Sequence, residues 1–301
     1  MIKKEVEKIL QYVQKPARYV GGELNSVVKN PDEVALRYAF CFPDTYEIGM
    51  SHLGMKILYG LVNARDDAWC ERVFAPDTDM EELMRKNNIP LFALESGDYI
   101  KDFDIIGFTL QYELSYTNVL NMLDLAGIKL FSKDRTELTP IICCGGPCAC
   151  NPEPIADFFD IVFLGDGEET TEQVLDLLKY CKENGLSKHD FLLKAKDIRG
   201  IYVPSFYEPS YNDDGTLREL KPINGAPEKI KKAVVADMDS CYYPDKFVVP
   251  FINIVHDRAV EEIFRGCIRG CRFCQAGFTY RPIREKSVET INKQSKALID
   301  S

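Results

Sequence analysis

The sequence has no apolar run near the ~20 residues needed to cross a bilayer, no leader of the kind that directs export, and no internal repeat or low-complexity tract. Membrane-spanning, solenoid and fibrous architectures are thereby set aside, and a soluble chain in the cytoplasm is the expectation. Positive charge is also short. With 37 Lys and Arg against 47 Asp and Glu, the formal net charge is -10, which disfavours general nucleic-acid binding because phosphates have to be neutralised by a basic surface. Eleven is an odd number of cysteines, and a chain of this size without an export signal is a poor candidate for a disulfide framework, so reduced thiols and metal ligation are expected instead.

What is present is ample for a core: 301 residues, 46% hydrophobic, at the length where one domain usually becomes two. An amphipathic opening helix (MIKKEVEKILQYVQ) is expected to stop near Lys15-Pro16. From about residue 34 to 185, apolar runs alternate with helical patterns, the signature of a doubly wound parallel α/β sheet. Strands are expected at 34–42, 70–74, 104–110, 140–144 and 159–164, with a further one near 91–94. Helices are expected at 53–62, 79–86, 116–126 and 171–182, the last closed by Asn184-Gly185 as a left-handed cap. In such a sheet ligands collect outside the carboxyl ends of the strands, where the turns are rich in glycine: FPDTYEIGMSHLG, QYELSY, GGPCACNPE and GDGEET. Gly145, Gly146, Gly165 and Glu168 are the candidate ligand-binding residues there. Asp166 and Glu169 also match a variant of the helix capping box. Between 200 and 250 a β-hairpin around Asn212-Asp213-Asp214-Gly215 and then four prolines indicate a connector. A strand at 259–264 and a helix at 287–299 are expected to flank the last cysteines.

Those cysteines read Arg265-Gly266-Cys267-Ile268-Arg269-Gly270-Cys271-Arg272-Phe273-Cys274. Three thiols at C-x3-C-x2-C spacing can wrap one corner of a metal cluster, with glycines letting the backbone bend around the sulfurs, and thiolates select iron-sulfur clusters or zinc over hard cations. Three ligands rather than four leave one position open for chemistry. Zinc with His256 as a fourth ligand is the structural alternative. Arg265, Arg269, Arg272, Arg281, Arg284 and Lys286 surround the motif, either as a site for an anionic ligand or as a solvated face.

C-x3-C-x2-C with an aromatic before the third cysteine resembles the radical S-adenosylmethionine superfamily. The resemblance implies that Cys267, Cys271 and Cys274 hold a 4Fe-4S cluster whose free iron chelates S-adenosylmethionine, and that Phe273 neighbours its adenine. It further implies one-electron cleavage to a 5'-deoxyadenosyl radical, with an electron donor such as flavodoxin or ferredoxin and an unknown substrate. KPARYVGGELNSVVK, GGPCACNPEPIADFFD, FLGDGEE, VHDRAVEEIFRGCIRGCRFCQAG and RPIRE together resemble B12-binding-domain radical S-adenosylmethionine proteins of unknown function. The implied organisation is an opening segment (1–30), a Rossmann-like, cobalamin-binding-like domain (31–190), a β-rich connector (191–255), and the first βα unit of a radical (β/α) barrel (256–301). A full barrel needs ~200 residues or more, so the chain is expected to be the N-terminal portion of a longer protein or to have lost its barrel.

Several details depart from the resembled families. Histidine-ligated cobalamin calls for Asp-x-His-x-x-Gly, whereas Asp44 and His52 are eight positions apart, so either a corrinoid binds without a histidine below cobalt or the domain keeps the fold and has lost the ligand, and His52 is expected to start or pack a helix. Gly21-Gly22-Glu23 is not the superfamily's cofactor-binding Gly-Gly-Glu, which follows the cysteines. Cys143, Cys144, Cys148 and Cys150 are not expected to form a second metal site, because neighbouring strand residues point to opposite faces. The competing reading is a non-catalytic, Rossmann-like ligand-binding or docking module with a barrel remnant.

Overall fold

Along Leu36–Phe42 (β1) side chains alternate between two apolar cores, Ala39 and Cys41 facing one and Tyr38, Phe40 and Phe42 the other. Strands buried on both faces belong to parallel sheets covered by helices on each side. The computed structural model describes residues 2–256 and 258–301. In it β1 lies between Ala68–Phe74 (β2) and Ile105–Thr109 (β3), and the sheet continues through Ile141–Gly145 (β4), Ile161–Phe163 (β5) and Ile201–Tyr202 (β6), in the order β2-β1-β3-β4-β5-β6. Neighbouring strands run parallel except β5 and β6, which are antiparallel, so the sheet is mixed rather than wholly parallel.

The helices divide between the two faces. Lys4–Leu10 (α1) is followed by the short Tyr46–Gly49 (α2), then Leu53–Asn63 (α3), Thr78–Asn87 (α4), Tyr116–Leu125 (α5), Glu168–Glu183 (α6) and Lys188–Ala195 (α7). Val6 of α1, Met80 and Met84 of α4, and Val119 and Met122 of α5 fill one core. Met55 and Tyr59 of α3, Leu175 and Leu178 of α6, and Phe191 of α7 fill the other. Gly185, at φ 62, closes α6 as a left-handed cap, its N–H bonding Lys182 O. Helix α7 was not anticipated; Ser187 and Asp190 start it with a reciprocal capping box. The strand expected at 91–94 is reduced to a single bridge, Phe92 to Tyr99.

The capping box expected at Asp166 and Glu169 is not formed. Helix α6 begins after Gly167 with no side-chain cap, because the Asp166 carboxylate is drawn away to accept the Val235 N–H at 2.7 Å. Beyond the sheet, Tyr207–Tyr211 (β7) and Leu217–Pro222 (β8) make the expected hairpin. The strand expected at 259–264 shrinks to Phe264–Arg265 (β9), which pairs antiparallel with Arg284–Glu285 (β10). The short Ala276–Thr279 (α8) lies between them and Val288–Asp300 (α9) follows, capped by Ser287. Among the described residues β9 has no parallel neighbour, and a strand extends only as far as a partner continues the ladder. No closed barrel is formed by the described residues.

Candidate functional site

Parallel strands ending on one edge leave their following turns side by side, and the order β2-β1-β3 places the topological switch between β1 and β3. A cavity of about 500 Å³ opens there. It runs down from the carboxyl ends of the strands, between α3 and the start of α6 on one side and Tyr38, Phe40, Gly107 and Cys143 of the sheet on the other. Gly107 is required: a Cβ there would stand 2.1 Å from the Tyr38 hydroxyl. Gly145, Gly146, Gly165 and Glu168 all line the cavity, and so does Cys267. The turns singled out in the sequence are thus gathered at one place, with Arg265, Gly266 and Cys267 forming part of the same lining.

Two glycines let the connector complete the wall. Gly165 sits at φ +102, where a Cβ would be 2.1 Å from Ala233 O, and Gly200 presses on the same alanine from the other side. Lys232, Ala233 and Val234 can therefore pass beside the end of β5, with the Asp166 N–H donating to Ala233 O and the Ala233 N–H to Leu164 O.

His52 caps α3, its Nδ1 accepting the Met55 N–H at 3.1 Å. Burial pushes its pKa below the usual histidine range, with Gln111 as a hydrogen-bonding neighbour acting in the opposite direction. A neutral imidazole that accepts at Nδ1 carries its proton on Nε2, so neither nitrogen offers a free lone pair to a metal. The ring borders the cavity as a packing and capping residue.

The three cysteines of the motif share one loop and do not share one environment. Cys267 and Cys274 are half-buried and Cys271 is exposed. A turn links Cys271 O to the Cys274 N–H at 3.1 Å, and the Arg269 N–H points to Cys267 Sγ at 3.4 Å. Among the described residues, no three His, Cys, Asp or Glu side chains are gathered as a metal site. Phe273 is 91% exposed and does not line the cavity. Cys143 and Cys144 point into opposite cores as expected. Burial raises both thiols above the usual cysteine range, so they remain protonated and unreactive.

Three of the six residues of the basic patch are neutralised by carboxylates. Arg265 binds Glu168 and, at 2.8 and 2.9 Å, both oxygens of Glu262; Arg284 binds Asp166; and Lys286 binds Glu261 at 3.1 Å. Asp166 and Glu168 consequently serve arginines. Gly21-Gly22-Glu23 is likewise structural. Glu23 takes Arg72 at 2.8 Å and the Tyr46 hydroxyl at 2.9 Å inside the fold. Apart from Glu262, three positions before Arg265, no sequence signal joins these partners, because each of the other pairs is remote along the chain.

A family described as radical SAM proteins, N-terminal, matches residues 54–204, just over half of the chain. The chain belongs to that family. As a radical SAM N-terminal protein it is 25% identical, over 84% of its length, to an uncharacterized protein of Methanocaldococcus jannaschii, of which it covers 44%. The chain thus spans less than half the length of the curated relative it matches. Among solved structures, it is similar to the radical S-adenosylmethionine methyltransferase TsrM from Kitasatospora setae, solved with tryptophan and a cofactor analogue. The TM-score is 0.44 at 9% identity, covering 87% of this chain and 45% of that one. That superposition is too loose to carry a statement about fold or site. Among the described residues no helix is long and apolar enough to cross a membrane.

Proposed function

We propose that residues 256–301 carry the cluster-binding loop of a radical S-adenosylmethionine enzyme and that the sheet presents a second ligand beneath it. Supporting this is the chemistry of the donor set. Three cysteines fall within eight residues of one glycine-bearing loop, outside both sheet cores, and the first borders the cavity. The cysteines of the sheet strands are locked in apolar cores, whereas the loop carries its three thiols outside them. Gly266, at φ +102 with Pro282 and Ile283 against it, turns the chain sharply into Cys267. Gly270 has open space around it, leaving the backbone between Cys267 and Cys271 free to bend.

In this reading Cys267, Cys271 and Cys274 hold a 4Fe-4S cluster, and the loop has to draw its sulfurs together around it. A bound cluster with S-adenosylmethionine on its free iron supplies one-electron cleavage of the sulfonium to a 5'-deoxyadenosyl radical. The protein residues hold the reacting groups and keep water out. Tyr38, Phe40 and Phe163 give the cavity an apolar floor, and Gly145, Gly146 and Gly165 bring backbone close to whatever is bound. We propose a corrinoid or a functional replacement as the ligand of this cavity, held without a histidine below its metal because both His52 nitrogens are committed.

The reading is tested by purifying the chain without oxygen, rebuilding it with iron and sulfide, and measuring both together with the visible spectrum. About four irons and four sulfides per chain in a brown, oxygen-labile product support it. A colourless product with stoichiometric zinc overturns it. Incubation with S-adenosylmethionine and a reductant then reports 5'-deoxyadenosine, and co-elution with hydroxocobalamin tests the corrinoid.

A further inference from the structure

The cysteine loop is suspended between two short strands, β9 before it and β10 after it, which pair with each other through Arg265 and Arg284. Both arginines reach into the sheet domain and end on one turn, that between β5 and α6. Arg265 is half-buried, and its guanidinium meets Glu168, the Asp166 carboxylate at 3.4 Å, and both oxygens of Glu262 from its own segment. Arg284 meets Asp166 and donates to Val235 O at 3.0 Å. Glu168 also accepts from the Cys241 thiol at 3.6 Å. The turn bearing Asp166 and Glu168 lines the cavity together with Arg265, Gly266, Cys267 and Arg284.

We propose that Asp166 and Glu168 form a two-point latch that fixes the cysteine loop over the cavity, with Arg265 as the positioning residue for Cys267. The inference rests on the reading of that loop as a cluster site. Only the constrained Gly266 separates Arg265 from Cys267, so an Arg265 side chain held at several points sets where the loop begins. Arg284 does the same where the loop ends. A fork of donors on several acceptors fixes direction as well as distance, which a single ammonium does not. The latch also gives the wall of the cavity and the start of the loop a shared set of contacts, so a ligand pressing on the β5–α6 turn is felt at Cys267.

The test uses the full chain with Glu168→Gln, Asp166→Asn and Arg265→Lys, each checked for an unchanged Trp69 emission spectrum to show that the sheet is intact. Hydrogen exchange is read by mass spectrometry in peptides covering 262–286, with α6 and β1 as internal references. Iron, sulfide and the electron paramagnetic resonance spectrum of the reduced product are read after anaerobic rebuilding. We expect exchange in 262–286 to rise about tenfold in Glu168→Gln, equivalent to about 1.4 kcal/mol, and less in Arg265→Lys, with the reference peptides unmoved. Iron retention falls, or the resonance broadens, in the same order. Unchanged exchange in 262–286 overturns the latch. Faster exchange with wild-type iron content and resonance overturns the positioning role and leaves a merely structural contact. A wild-type chain that takes up no iron removes the cluster reading and the positioning role with it, while the exchange result still decides whether the latch holds the loop.

Discussion

Replacing Arg72 with Met would remove the cation that lies between two buried carboxylates. The Arg72 side chain is 2% exposed, with Glu23 on one side and Glu95 on the other, and Glu95 also accepts the Arg72 backbone N–H at 2.7 Å. Burial raises the Glu23 carboxyl, but the Arg72 charge and hydrogen bonds outweigh it and hold the group below the usual range, while burial prevails at Glu95 and leaves it raised. Breaking a buried pair from one side costs about 3–5 kcal/mol, because the partner is left charged and unpaired. Two partners are left here, and their costs are not additive, so the expected loss at pH 8 is roughly 4–6 kcal/mol. The pH dependence carries the diagnosis. In the wild type the depressed Glu23 contributes stability that is present above its unfolded value and is lost as pH falls through the lower folded value. In Arg72→Met both carboxyls are expected to be raised, so that the variant is least impaired near pH 5 and loses stability as pH rises. Trp69 is the sole tryptophan, lies three residues away on β2 and is 1% exposed, so its fluorescence in urea at pH 5 and pH 8 follows unfolding of this sheet. A destabilisation under about 1 kcal/mol, or one equal at the two pH values, refutes the reasoning and reopens a functional role for Glu23.

Other outcomes follow from the same structure. His52→Ala should cost about 1 kcal/mol by loss of the α3 cap, and His52→Asn should restore most of it. Because burial depresses the His52 pKa, its contribution is complete above the unfolded value near 6.5 and declines as pH falls; His52→Asn should flatten that slope in urea titrations between pH 5 and 7.5. Gly165→Ala places a Cβ against Ala233 O at a positive φ, and about 1–3 kcal/mol of strain is expected, with faster hydrogen exchange in residues 232–235. Single Cys→Ala changes at 267, 271 or 274 should abolish iron uptake, whereas Cys148→Ala and Cys150→Ala should leave it at the wild-type level, measured by elemental analysis.

Much of the framework was legible from local pattern. Runs such as those of β1, β3 and β4 are apolar on consecutive positions because both faces of the sheet are covered, and residues between them repeat at helical spacing because each helix has one face in a core. The placing of the glycine-rich turns after β4 and β5 at one sheet edge, where they line the cavity, was legible for the same geometrical reason: parallel strands deliver their following turns to one edge. The cysteine spacing could be read because all three thiols lie within a single loop. Strand 259–264 was overestimated because an apolar run reveals its burial and not whether a neighbour exists to continue the ladder.

By itself, then, the sequence determined the alternation of strand and helix, the sheet edge where the cavity opens, and the close spacing of three thiols in one loop, all properties of residues a few positions apart. Only the tertiary structure decided that Glu23 belongs to Arg72 and that Asp166 and Glu168 belong to Arg284 and Arg265. The last of these pairs lies 97 positions apart. Ion pairs form between charges that packing brings within a few ångströms, and that distance is set by the whole arrangement of layers, which no local period encodes.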